Sequence, residues 1–139
     1  MWKSCWMVVL AALTAAPAGA QSSFADLGGT WTGVSRSIVT GDANPRHPGS
    51  PDPGPRYSSV PFTLVVDKQD GRRFSGVFSS ARFSKPLIGV ISRGGTILIV
   101  DDDGYGNGTL LAPDRLEFCY LQIAPPGRVA SCTQLKKQS

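Results

Sequence analysis

Two cysteines, Cys119 and Cys132, bracket the turn Ala124-Pro125-Pro126-Gly127 near the end of the chain. A symmetric turn there pairs Tyr120 with Ser131 and Ile123 with Arg128, and sets Cys119 directly opposite Cys132. A disulfide across neighbouring antiparallel strands is therefore predicted, in a compartment that permits one. The hairpin from Leu116 to Leu135 also separates into two faces by the period of a strand. Leu116, Phe118, Tyr120, Val129, Ser131, Thr133 and Leu135 share one face. Glu117, Cys119, Leu121, Arg128, Ala130, Cys132, Gln134 and Lys136 share the other. The first set suits a barrel interior, which leaves the disulfide outside as a staple.

The N-terminus agrees with the oxidising compartment. Lys3, the apolar run Met7 to Leu13 and Ala18-Gly19-Ala20 read as a signal peptide cleaved before Gln21. Cys5 lies within that leader, away from the cleavage point, which argues against a lipid anchor. The expected product is an exported protein, periplasmic or secreted, with one domain over residues 21–139. Without Lys3 it carries 13 basic and 10 acidic residues, a net charge of +3. The basic residues are scattered, so the stripe that marks a nucleic-acid binder is missing. No later apolar run is long enough for a membrane-spanning helix.

The mature chain reads as eight short strands. Thr32–Val39 is the first, followed by a Pro/Gly-rich stretch over residues 40–59 in which neither ladder nor helix can run. Pro61–Asp67 and Arg73–Ser80 flank Asp70-Gly71, pairing Val65 with Gly76 and Leu64 with Val77. Leu87–Ser92 and Thr96–Asp101 flank Gly94-Gly95. This second hairpin is apolar on both faces, with Ile88, Val90, Ile97 and Ile99 on one and Leu87, Ile91, Leu98 and Val100 on the other. One face therefore needs a cover, which a subunit interface or the stretch over residues 40–59 would supply. Asn107–Leu111, Arg115–Ile123 and Arg128–Lys136 complete the set. Gly33, Gly76 and Gly89 sit inside strands, where sharp bends or close approaches call for glycine. Regular short strands without helical periodicity predict an all-β fold, an eight-stranded antiparallel up-and-down barrel, with a Greek-key β-sandwich as the alternative.

Chemistry-bearing groups are few. His47 is the one histidine, and it lies in the Pro/Gly-rich stretch with nothing to orient it as a base. Glu117 is the one glutamate. With both mature cysteines oxidised, thiolate chemistry is excluded, and the expectation is a non-enzyme without a cofactor. Asp101, Asp103 and Asn107 alternate around a glycine turn and supply oxygen donors of the kind calcium takes. A turn with ordinary Asp and Gly chemistry accounts for them as well.

Gly29-Thr30-Trp31 opening the first of eight meandering strands resembles the calycins, the lipocalin and avidin barrels. The resemblance implies that Gly29 and Trp31 close one barrel end under a basic residue from the last strand, for which Lys136 is the candidate. It also implies an interior able to take a small apolar ligand, with Phe118, Tyr120 and Ser131 lining it. Gly76, Ser75 and Ser131 leave open whether that interior is filled. A second resemblance is to the periplasmic inhibitors of serralysin-type metalloproteases, which implies an inhibitory segment at Gln21–Leu27. The functional expectation is an exported barrel that binds a small apolar ligand or a protein partner. Protease inhibition and a structural role in the cell envelope are the alternatives.

Overall fold

The computed structural model describes residues 24–41, 54–124 and 127–139, and the leader and most of the Pro/Gly-rich stretch lie outside them. Eight strands follow one another: β1 (Gly29–Thr40), β2 (Arg56–Asp70), β3 (Arg73–Ser80), β4 (Phe83–Ile91), β5 (Ile97–Val100), β6 (Gly104–Ala112), β7 (Arg115–Ala124) and β8 (Gly127–Lys137). Each pairs antiparallel with the next, and β8 pairs back onto β1. The result is a closed up-and-down barrel, and the Greek-key alternative is set aside. Closure leaves no strand edge to be covered.

The cystine hairpin holds the predicted register, with Cys119 opposite Cys132, Tyr120 opposite Ser131 and the disulfide formed. Leu116, Phe118, Val129, Thr133 and Leu135 are buried, whereas Arg128, Ala130, Cys132, Gln134 and Lys136 face water. The staple is therefore outside the barrel.

Two other hairpins depart from the sequence reading by one residue each. The β2–β3 turn is Gly71-Arg72, with Gly71 in the left-handed region at φ 58°, and Asp70 pairs with Arg73. A bulge between Val66 and Lys68 then sets Leu64 opposite Phe78 and Val66 opposite Gly76. The inserted residue lets Phe62, Leu64, Val66 and Phe74 all point inward, which a symmetric turn about Asp70-Gly71 cannot do. Ser75 consequently lies on the outer face, where it donates to the Asp67 carboxylate at 2.9 Å. In the second hairpin a five-residue turn, closed by Ser92 N–H to the Thr96 carbonyl, pairs Ile91 with Ile97. Leu87, Ile91, Ile97 and Ile99 therefore form the inward set, and Ile88, Val90, Leu98 and Val100 the outward one.

The Pro/Gly-rich boundary also moves. Arg56–Ser59 already belong to β2 and pair with Val39–Arg36. His47 lies outside the described residues.

One barrel end is shut. Trp31 is fully buried and its indole N–H donates to the Leu27 carbonyl at 2.8 Å. Burying a side chain of that size removes on the order of 200 Å² from water, worth roughly 5 kcal/mol. Leu27, itself 1% exposed, is the plug. Gln69 holds the plug from both sides, accepting from Leu27 N–H at 2.8 Å and donating to the Ala25 carbonyl at 2.7 Å. The basic residue over the indole is Lys137, whose Nζ lies 5.4 Å from the ring centroid. Lys136 cannot serve, because it shares the outward face of Cys132 and Gln134. Phe24 packs against the same core beneath the Arg72 guanidinium.

Lys137 also meets Asp26, 3.3 Å away. The Asp26 carboxyl is held below its ordinary value of 3.8, first by the Gly28 N–H and then by Lys137. A depressed carboxyl favours the fold above the unfolded-chain value and loses that contribution as pH falls through the lower folded one. Replacing Asp26 with Asn should therefore flatten the fall in urea stability below about pH 4, leaving neutral-pH spectra unchanged. A double change, Cys119→Ala with Cys132→Ala, should lower stability by up to about 3 kcal/mol in a urea titration while the barrel still forms.

Candidate functional site

The end opposite the Trp31 plug is built differently. Its wall comes from the second half of β1, the first half of β2 and the adjoining ends of β3, β4, β5, β7 and β8. The same end carries the β1–β2 connection, which leaves at Gly41 and has returned by Gly54. Arg56 ties the two strands there by donating to the Gly41 carbonyl at 2.9 Å.

Inside this half, aromatic rings replace aliphatic side chains. Phe62 stacks on Phe78 with centroids 4.6 Å apart, Phe83 tilts against Phe62 at 5.4 Å, and Phe118 meets Phe78 edge-on at 5.9 Å. These offset and tilted arrangements suit the ring quadrupoles. Space for the rings comes from glycine. A Cβ on Gly106 would lie 2.5 Å from the Phe118 ring, and one on Gly104 would lie 2.7 Å from the Tyr120 hydroxyl. Near the other end, a Cβ on Gly89 would strike the Phe74 ring at 2.2 Å. Gly89 in β4 is thus a close approach of ring to backbone, and Gly104 and Gly106 in β6 lie as close to the Leu121 and Cys119 carbonyls of β7 as to the rings.

Polar groups also point inward here. Ser35, Gln122 and Thr133 are buried and line the same space as Ser131 and Tyr120. Lys85, whose side chain is 13% exposed, forms an ion pair with Asp103 from the β5–β6 turn. Asp101 Oδ1 organises that turn by accepting from Asp103 N–H at 2.8 Å, Gly104 N–H at 3.0 Å and the Tyr120 hydroxyl at 2.7 Å. Burying a lysine–aspartate pair gains little net stability against an apolar pair of the same volume. The pair is only partly buried, the Asp103 side chain being 26% exposed.

The cavity so enclosed measures about 40 Å³. A buried water needs on the order of 10–15 Å³ by this measure, so about three waters would fit. Pockets that take drug-sized ligands run to roughly 300–1,000 Å³. The interior is thus largely filled, and a ligand must be small or must enter from the mouth past a ring.

The three ligand-lining candidates, Phe118, Tyr120 and Ser131, are brought together on this wall. Sequence reasoning missed Lys85 and the ring set of Phe62, Phe78 and Phe83. The strand period of β4 held the signal for Lys85, since it shares the parity of Leu87 and Ile91. The calcium candidates are separated. Asp101 and Asp103 share the turn, but Asn107 lies on the exposed face of β6, between Leu98 and Cys119. Among the described residues no group of three or more His, Cys, Asp or Glu side chains could hold a metal ion, and no helix is long and apolar enough to cross a membrane.

These features define a class, a closed eight-stranded β-barrel with one plugged end and one polar, aromatic mouth. No protein-family model matches the chain, and no curated protein matches it.

The hydroxyl of Tyr120 donates to a charged acceptor that keeps two backbone donors without it. Tyr120→Phe should cost about 1–2 kcal/mol in urea unfolding, and Asp101→Ala should cost more, since it strips the turn of all three bonds.

Proposed function

We propose that this chain is an exported, non-enzymatic binding barrel, of the calycin-like kind, whose mouth takes a small ligand. The ligand class is a planar or short apolar molecule with one polar end. The observation that carries this reading is the contrast between the two ends. The plugged end is filled by Trp31 and Leu27, and its polar groups, Gln69 and the Lys137–Asp26 pair, serve the plug itself. The mouth half instead holds the Lys85–Asp103 pair, buried hydroxyls and stacked phenylalanines around one small cavity.

In this reading the apolar body of the ligand lies against Phe62 and Phe83, and its polar end reaches Lys85 or the Ser131 hydroxyl. The cavity as it stands is only about 40 Å³, so the ligand has to displace one of the lining rings, and that rearrangement opposes binding. Export fits the leader-like N-terminus and the single disulfide. The inhibitor alternative receives less support, because Phe24–Leu27 is engaged in plugging the barrel.

The test is native mass spectrometry of protein recovered from the exporting host, together with thermal-shift titrations of benzoate and indole. A retained small mass, or a melting temperature that rises with either probe, is expected. Ser131→Leu, which fills the cavity, should abolish the shift while the barrel still melts cooperatively. A chain that carries no ligand mass and responds to neither probe would overturn the proposal.

A further inference from the structure

Among the described residues one buried side-chain polar atom has no hydrogen-bond partner, Nη1 of Arg56. A buried donor is nearly always paired, and one left unpaired has given up its bonds to water for nothing, at a greater cost when the group is charged. The indole N–H of Trp31 and the amide of Gln69 show the rule kept at the plugged end. Arg56 breaks it at the mouth.

Strand alternation places this side chain. Arg56 opens β2 with the parity of Phe62 and Leu64, which point inward, whereas Tyr57 beside it is 89% exposed on the outer wall. Arg56 pairs with Val39, which is fully buried, and Val39 pairs with Val129 of the mouth wall. Nη2 holds the guanidinium at the rim by donating to the Gly41 carbonyl at 2.9 Å. Arg56 and Phe62 are six residues apart on β2, about 20 Å of strand, so the rim position is separate from the cavity.

No carboxylate answers this charge among the described residues. The inward neighbours across β1 and β8 are Ser37, Val39, Val129 and Ser131. Ser58, the next inward residue on β2, adds a hydroxyl. The acids of the mouth are already engaged, Asp103 by Lys85 and Asp101 by three donors. Lys85 therefore has a counter-charge and Arg56 has none.

We propose that Arg56 is a rim site for a carboxylate ligand. The two oxygens of a carboxylate lie in one plane and accept side by side from Nη1 and the remaining Nη2 hydrogen. Its single negative charge balances the single guanidinium. A phosphate dianion would bring a second charge that no described group at the rim offsets. The bond to Gly41 fixes the plane of the fork before the ligand arrives, so little side-chain freedom is lost on binding. The site stands on Arg56 and is independent of the ligand proposed for the mouth cavity.

Acetate, too short to reach from the rim to the cavity, is the probe. It is titrated into the isotope-labelled mature chain at an ionic strength held constant with sodium chloride, and followed by NMR. The Arg56 and Gly41 amide signals should shift and saturate with a Kd of about 1–10 mM, and phosphate should bind at least about ten-fold more weakly. Arg56→Lys keeps the charge and loses the fork, which should weaken acetate by at least about ten-fold. Arg56→Gln should abolish the saturable response, with circular dichroism showing that both variants keep the barrel. The wild-type titration stands without them: a response still linear at about 100 mM acetate, roughly ten-fold above the expected constant, would overturn the inference. So would a saturable shift that persists in Arg56→Gln. Acetate binding that appears only once Asp42 or Asp52 is replaced with Asn would overturn it too, because the counter-charge would then be the chain's own.

Discussion

Everything in this barrel depends on the closure at Trp31. An eight-stranded barrel is just wide enough for side chains to fill, and its ends are where water would enter. Here one indole fills the end, Leu27 caps it, and a single hydrogen bond from the indole N–H to the Leu27 carbonyl orients both. That bond satisfies the polar atom that burial of a tryptophan would otherwise strand. Gln69 then fixes the capping segment to β2, and Lys137 lies over the indole face from β8. Strands β1, β2 and β8, which meet around the seam of the barrel, are thereby locked at the same point. The disulfide reinforces the neighbouring seam, β7 to β8, from outside.

With one end so closed, the other can carry groups that a stable core would exclude. Buried polar groups cost stability unless each finds a partner, and the mouth provides partners locally. Asp101 serves three donors, two of them backbone N–H groups of its own turn, and Lys85 has Asp103. The turn from Asp101 to Gly104 is thus a support for the mouth wall. This gives the acidic cluster of the sequence a structural use in which Asn107 takes no part.

The sequence was most legible where the period of two met a symmetric turn. In the cystine hairpin, alternation and turn symmetry agreed, and both register and facing follow directly. The strand count was legible from equally local signals, whereas the closing role of Trp31 came only from the resemblance that Gly29-Thr30-Trp31 carries. Register was not legible in the other two hairpins. A bulge at Asp67 and a five-residue turn after Ile91 each shift the pairing by one, and one residue of shift turns a whole strand over. No dipeptide signal distinguishes Asp70-Gly71 as turn centre from Gly71-Arg72. The choice is made by tertiary packing, which needs Leu64, Val66 and Phe74 on the inside together. Lys137 was missed for a smaller reason, since its parity with Leu135 already marked it as inward-facing.

The corrected register changes what the β4–β5 hairpin means. With its faces mixed, the hairpin looked apolar throughout and equally in need of cover on either side. With Leu87, Ile91, Ile97 and Ile99 assigned to the core, the remaining Ile88, Val90, Leu98 and Val100 become one coherent outward cluster. Strand alternation alone does not require that cluster. Serine and threonine occupy comparable outward positions on β3 and β6 without harm to the barrel, and arginine does so on β1 and β8. Apolar residues there contribute nothing to closing the barrel and raise the risk of uncontrolled association. Arg73, ion-paired with Asp70, lines the groove beside them. The plugged end, the polar mouth and the apolar outer face of β4 and β5 occupy three separate surfaces of the same eight strands. Substitutions at one of them leave the other two available as controls.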